Sequence, residues 1–344
     1  MSTKEDTSPQ RSTTDLDQPS PAAGPSPTQR FLRNLVTEHL IWPIVVVIVL
    51  LGSMVDGFLT VANFTNLMWA AAPLGCMVLG LYFVMMTGRL DLSLESTYAL
   101  APTIAVLTMV NATLGLHPLL AILLTIVVGG VLGLINGFLS ITMGVNPFLV
   151  TLATLLIYRG FVVYLIPEGV YGLPDAYTFL GGARLGTVPV AVLVLLALIA
   201  SAWFVMKYTS WGRNLMAIGN NEDACRVAGI NVAFTSMMAF VVAGACAALG
   251  GLLSAGQLYS IDASMGDGEI LTVFAGVTLG GTALNGGRGR VTGLLGSLIV
   301  IGGITNLMNL IGIDATVRQI VFGLVLLFAI MLSSLQDRLR AVRS

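Results

Sequence analysis

The chain has 344 residues, of which 56% are hydrophobic and only 10% charged, and its mean hydropathy is +0.91. Soluble domains carry about 25% charged residues, so this composition excludes an ordinary soluble protein and indicates one embedded in a lipid bilayer. Sixteen Lys and Arg against 17 Asp and Glu leave a formal charge of -1, which excludes nucleic acid as a partner because no basic surplus exists to hold a phosphate backbone.

The first 30 residues are rich in Ser, Thr and Pro and contain one large aliphatic side chain, Leu16. They bury too little surface to offset chain entropy and read as a disordered tail, with a single membrane domain over residues 31–344. No short apolar stretch with a small-residue cleavage pattern precedes the first hydrophobic run, so that run is expected to stay as a span. A bilayer core needs about 20 apolar residues per helix, and the runs here are too long for barrel strands. Spans are predicted near residues 40–58, 67–87, 92–110, 118–141, 147–166, 188–207, 233–256, 269–284, 291–311 and 317–334. The expected fold class is all-α and polytopic, with about ten transmembrane helices, some short or interrupted near a pathway.

Orientation follows from Lys and Arg, which concentrate in cytoplasmic loops. Ten spans with both termini inside place Arg30, Arg33, Lys207, Arg213, Arg226, Arg288, Arg290, Arg338, Arg340 and Arg343 on the cytoplasmic side. Only Arg159, Arg184 and Arg318 fall elsewhere, with Arg159 inside a span. Strict alternation puts Arg89 at the cytoplasmic end of the second span, whereas a re-entrant second segment would put it at membrane depth. Gly129, Gly133 and Gly137 repeat every four residues, as do Gly276 and Gly280, and are read as surfaces for close helix packing.

Much chemistry is missing. Lys4 and Lys207 are the only lysines and neither follows a phosphate-binding glycine loop, so any ATPase is a partner rather than this chain. The stretch GGTALNGGRGRVTG, Gly280 to Gly293, joins two hydrophobic spans and reads as a tight connection, not a phosphate cradle. Cys76, Cys225 and Cys246 are isolated and His39 and His117 join no cluster, so no metal or other cofactor is expected and the cysteines read as packing residues. With no nucleophile beside a base, the chain is not expected to be an enzyme.

Three polar features stand out. TGRLDLSLES, Thr87 to Ser96, packs Arg89, Asp91 and Glu95 with Ser93 into ten residues at or near membrane depth, where ionisable groups are costly and mark pathways or pair with one another. One reading makes Arg89 and Asp91 an ion pair, with Asp91 or Ser93 capping the third helix; the other places Arg89, Asp91, Ser93 and Glu95 along a solute pathway, Glu95 foremost. In the fifth span, opened by Asn146-Pro147, Thr151, Thr154 and Tyr158 share related faces and Arg159 lies deeper. They either offer hydroxyls to a carbohydrate, or the threonines bond their own helix while Arg159 snorkels or pairs with an acidic neighbour. Finally, Thr209 to Val232 forms the longest polar cytoplasmic connection. Asn221 is positioned as an N-cap, Glu222 and Asp223 in a first turn, and Gly229 at the C-terminal stop. Such a short helix cannot stabilise itself and is expected to dock on another protein.

In this order and at these spacings, Asp91-Leu92-Ser93, NPFLVTLATLLIYRG from Asn146, GRNLMAIGNNEDACRVAGINV from Gly212 and LGGTALNGGRG from Leu279 are specific. The chain resembles the permease subunits of ribose-type ABC importers of monosaccharides over Leu40 to Arg340. The resemblance implies a bacterial inner-membrane permease that works with a cytoplasmic ATP-binding subunit, a periplasmic sugar-binding protein and a second permease copy or paralogue. It implies that Gly212 to Val232 contains the ATPase-coupling helix, with Arg213, Asn214, Asn221, Glu222, Asp223, Arg226 and Gly229 as its contact residues. The solute is then a ribose-like pentose, a hexose or a polyol. The usual element reads close to TGGIDLSVGS, whereas here Arg89 and Glu95 replace glycines. The competing reading is a proton-coupled secondary transporter that relays protons through Asp91 or Glu95.

Overall fold

At membrane depth the backbone of an apolar run must find its hydrogen-bond partners within the protein, and in the computed structural model these runs do so as helices, even around Pro73 and Pro102. The structure describes residues 41–111 and 113–314 and, beyond them, 317, 320–325, 327, 328, 330 and 331. The tail and seven of the 18 residues of the tenth expected span lie outside the described residues.

The main helices are α1 (Ile41–Gly52), α2 (Val61–Met86), α3 (Leu94–Val110), α4 (Pro118–Gly137), α5 (Pro147–Leu165), α6 (Asp175–Gly182) and α7 (Val190–Tyr208). They continue with α8 (Ser210–Asn220), α9 (Glu222–Val227), α10 (Val232–Leu258), α11 (Glu269–Leu279) and α12 (Val291–Leu310). Among the described residues, six helices are long and apolar enough to cross a membrane: α2, α4 with its π-helical extension Phe138–Thr142, α5, α7, α10 and α12. The apolar helices α1, α3 and α11 are shorter, at 12, 17 and 11 residues. Thus the chain is an all-α, multi-pass membrane protein. The first span is shorter than expected because residues beyond Gly52 turn, and the eighth ends at Leu279 because Gly280 and Gly281 open a loop.

At the centre, α10 packs on α4, α2 and α3, and α2 also touches α7, α11 and α12. A helix apolar on all sides belongs inside, and α2 is buried over most of its length, whereas α4 and α5 turn a broad apolar face outward, as for lipid contact. The glycine repeat decides the α4–α10 approach. A Cβ at Gly133 would land on the Phe240 carbonyl oxygen and one at Gly129 on the Gly244 carbonyl oxygen. Gly276 packs against Val78 and Ile301, and Gly280 against Leu294, as their spacing predicts.

Two ends of the bundle are distinct. At one, the α2 terminus, α8, α9 and the loop after α11 meet: Gly287 N–H donates to the Met86 carbonyl at 3.0 Å. At the other lie α6 and two short antiparallel ladders, β1 (Val170–Tyr171) with β4 (Ser260–Ile261) and β2 (Arg184–Leu185) with β3 (Val188–Pro189). The amphipathic helix α8 was not anticipated within the polar connection. The three cysteines are free and buried, as packing residues are.

Candidate functional site

At the end opposite α9, helices α2, α11 and α12 enclose a cavity of about 780 Å³. Its polar lining comes from Asn66 and Trp69 on α2, Arg184 on β2, Asp267, Glu269 and Thr272 around the start of α11, and Thr305, Asn306 and Asn309 on α12. Trp69 is held from both sides: its indole N–H donates to the Gly181 carbonyl at 2.8 Å, and Gln257 donates to its backbone carbonyl at 2.6 Å. Arg184 lies over the Trp69 ring, 5.5 Å from its centroid, and donates to Asn66 Oδ1 at 2.8 Å. Asn63 and Asn306 exchange two amide hydrogen bonds of 2.9 Å, tying α2 to α12 beneath this surface. An aromatic ring beside amides, hydroxyls and a carboxylate offers both donors and acceptors to a compact polyhydroxylated solute.

Beside the cavity, Arg159 on α5 forms an ion pair with Asp267 at 2.9 Å and a longer one with Glu95 at 3.5 Å. It also donates to the carbonyls of Ala263 and Met265, both at 2.9 Å. Glu95 Oε2 accepts from the Ile270 N–H at 3.1 Å, so a carboxylate from α3 serves the first turn of α11, where backbone donors are otherwise unpaired. Of the two readings of the fifth span, the residues adopt the structural one. Thr151 and Thr154 donate to the Pro147 and Val150 carbonyls of their own helix, Tyr158 donates to the Leu132 carbonyl, and Arg159 takes acidic neighbours.

The TGRLDLSLES element splits in two. Arg89 does not pair with Asp91, correcting that expectation: its guanidinium reaches Glu222 on α9 at 2.7 Å and also donates to Ser236 Oγ at 3.2 Å. This contact sets Arg89 at the end of the bundle that carries α9, as strict alternation requires. From there the chain climbs inward to Asp91, whose Oδ1 accepts from the Ser93 N–H at 3.0 Å and the Ser93 hydroxyl at 2.6 Å. Ser93 Oγ accepts in turn from Asn136 Nδ2 at 2.6 Å, two residues before the π-helical extension of α4. Asp91 Oδ2, Asn136 Oδ1 and Ser140 Oγ have no hydrogen-bond partner among the described residues. Neither Asp91 nor Ser93 caps α3 as expected; Ser93 occupies the cap position without a capping bond.

The cap and stop expected for α9 are present. Asn221 Oδ1 accepts from the Ala224 N–H at 2.9 Å, and Gly229 has a φ of 80° that only glycine adopts freely. The Ile230 N–H closes the helix on the Cys225 carbonyl at 3.0 Å. Cys225 points inward while Asp223, Arg226 and Val227 are exposed, Val227 to 90%. Arg213 is exposed and Asn214 half-buried on the adjoining α8. Burial alone would raise the Glu222 carboxyl, but the hydrogen bond from Arg226 and the charge of Arg89 outweigh it and hold the group below the usual carboxylate range.

Residues 63–330 match the family described as branched-chain amino acid transport system / permease component. The chain belongs to this family of permeases. The permease is 34% identical over 290 residues, 83% of its length and 89% of the relative's, to the ribose import permease protein RbsC of Bacillus subtilis strain 168. It is 30% identical to the D-allose transport system permease protein AlsC of Escherichia coli K12, over 84% of this chain and 89% of the relative. The L-arabinose transport system permease protein AraH of the same strain is 31% identical, over 80% and 84%. No solved structure matches. The permease is therefore of the ribose-type ABC branch, a membrane component that is not itself an enzyme.

None of the pathway residues expected from sequence lines the cavity. The cavity residues were missed, although amides at spacings of three in otherwise apolar helices, Asn63 with Asn66 and Asn306 with Asn309, were a readable signal.

Proposed function

We propose that this permease is the membrane-spanning subunit of an ATP-driven importer that carries a monosaccharide or small polyol across the bacterial inner membrane. The observation that carries the reading is the Trp69, Asn306, Asn309 and Glu269 cavity at one end of a bundle whose other end presents a capped, exposed α9. The names of the relatives, for ribose, D-allose and L-arabinose, favour a pentose or hexose. On this reading ten spans place both termini in the cytoplasm. The cavity faces the periplasm and receives the solute from a sugar-binding protein. Two permease copies or paralogues pair, and Arg213, Asn214, Asn221, Glu222, Asp223, Arg226 and Gly229 meet the ATP-binding subunit.

Below the cavity the pathway passes Glu95 and Arg159, with Thr151 and Thr154 behind them, toward Ser93, Asp91 and Arg89. ATP and the loaded binding protein each favour a different permease state, and that difference drives alternating access. Proton relay is the weaker reading, because Glu95 is held by Arg159 and by the Ile270 amide. The test is uptake of labelled ribose, allose and arabinose by proteoliposomes containing the permease, its ATPase and its binding protein. Uptake that requires ATP and binding protein is expected; uptake driven by a proton gradient without the ATPase would replace this reading with the secondary transporter.

A further inference from the structure

Glu222 is shared by two arginines. Its Oε1 accepts from Arg226 at 2.7 Å, on the exposed face of α9, and its Oε2 pairs with Arg89 at 2.7 Å, on the inner face. Arg226 is open to a docking partner, with its side chain 64% exposed, whereas that of Arg89 is 14% exposed and anchored to Ser236 on α10 and to the Thr87 carbonyl. Two residues beyond Arg89 the backbone delivers Asp91 into the bundle, where the Asp91, Ser93 and Asn136 chain of hydrogen bonds ends beside the π-helical turn of α4.

Contacts run from an exposed arginine through a single carboxylate to Arg89, and from Arg89 the two-residue backbone step through Leu90 reaches a buried polar group with acceptor atoms left over. The surroundings are stiff. Gly88, with a φ of 74°, turns against the Asn285 carbonyl, and Gly219 lies so close to Met86 and Gly287 that a side chain there would strike their backbone. A displacement of α9 therefore has little slack in which to dissipate before it reaches Arg89. Coupling of this kind requires an element with two discrete arrangements; Glu222 here bridges both guanidiniums, one through each oxygen, and release of either would leave it held by the other alone.

We propose that Arg89 is a positioning residue for energy coupling: Glu222 exchanges between Arg226 and Arg89 as the ATPase subunit moves α9, and Arg89 passes that movement to the Asp91–Ser93–Asn136 node that holds α3 against α4. This rests on the assignment of α9 as the ATPase-docking helix.

The experiment uses the full reconstituted complex and measures solute moved per ATP hydrolysed, for wild type, Arg89→Gln, Arg89→Lys and Glu222→Gln. Wild type without binding-protein-stimulated hydrolysis or ATP-dependent uptake would refute the docking assignment itself. Given a coupled wild type, Arg89→Gln and Glu222→Gln are expected to co-purify with the ATPase yet lose coupling roughly 5- to 150-fold, the range of ordinary inter-site coupling. Arg89→Lys, which keeps a cation for Glu222, is expected to retain most of the ratio. Wild-type coupling in Arg89→Gln overturns the proposal. If Arg89→Gln does not assemble, Glu222→Gln decides: an assembled complex with wild-type coupling overturns it, and one that has lost coupling supports it.

Discussion

Arg159, in the middle of an apolar helix, holds the carboxylate of Asp267 at 2.9 Å across 108 residues of chain. The same guanidinium binds two carbonyls of the Asp262–Gly268 loop and faces Glu95, so α3, α5 and the loop that opens the cavity are fastened at one point. Asp267 is largely exposed and Glu95 buried, so removing Arg159 strands Glu95 above all, and breaking a buried pair costs about 3–5 kcal/mol. Arg159→Met is expected to lower the thermal midpoint in detergent clearly, and adding Glu95→Gln to recover part of the loss by removing the stranded charge. An unchanged midpoint in Arg159→Met would mean that the fastening contributes nothing to stability.

Close packing of α4 on α10 gives a contrast within one residue type. Gly133→Ala places a methyl group on the Phe240 carbonyl and is expected to cost about 1–3 kcal/mol through helix displacement. Gly160→Ala, on the open face of α5 with nothing within 4 Å, is expected to be neutral or slightly stabilising because alanine favours the helix. Thermal unfolding of the two purified variants separates the cases, and equal midpoints would contradict the packing account.

In the cavity, Glu269→Gln replaces a carboxylate acceptor by a neutral amide, and Trp69→Ala removes the ring that stands beside its amides. Hydrogen bonds to charged groups contribute about 1.5–3 kcal/mol, so each change is expected to reduce the apparent sugar affinity of uptake about tenfold or more at wild-type abundance. Initial uptake rates over a range of sugar concentration, alongside immunoblotted membranes, provide the check; an unchanged concentration dependence in both variants would remove the cavity from the pathway.

Glu222 carries a pH prediction whose sign follows from its lowered folded-state value. Burial pushes the carboxyl up, but Arg226 and Arg89 together push it down further. The unfolded chain then binds the proton more readily than the folded one, so this contribution is complete above the unfolded value of 4.5 and is lost as pH falls through the lower folded value. Between about pH 6 and 8 the cluster stays ionised, and no Glu222-dependent change in coupling is expected there. A coupling ratio that changes with pH in wild type but not in Glu222→Gln over that range would contradict the assignment.

Loss of the Asn221 cap tests α9 without touching its charges. Asn221→Ala removes the acceptor for the Ala224 amide, a change worth about 1 kcal/mol in a helix of only six residues. Weaker binding of the ATPase to the permease, measured by co-purification under graded salt, is expected; undiminished binding would show that the partner itself orders α9.

The α9 cap and stop were legible because Asn221, Ala224 and Gly229 interact within a few residues, where spacing alone decides the geometry. The glycine faces of α4 and α11 were legible for the same reason: one helical period places small residues on one side, whatever packs there. Membrane residence and span positions came from composition and run length, since a backbone in hydrocarbon has few alternatives to the helix. Charge partners were not legible. Arg89 stands two residues from Asp91 and yet pairs with Glu222, 133 residues away, because α2 ends beside α9 while the backbone carries Asp91 inward. Likewise the cavity assembles Trp69, Glu269 and Asn309 from three helices distant in sequence. By itself the sequence determined a multi-pass permease with a short capped helix in its polar connection, through local periodicity and hydrophobic length. Which charges meet and where the polar lining converges was decided only by tertiary packing, because ion pairing depends on distances that the order of residues along the chain does not contain.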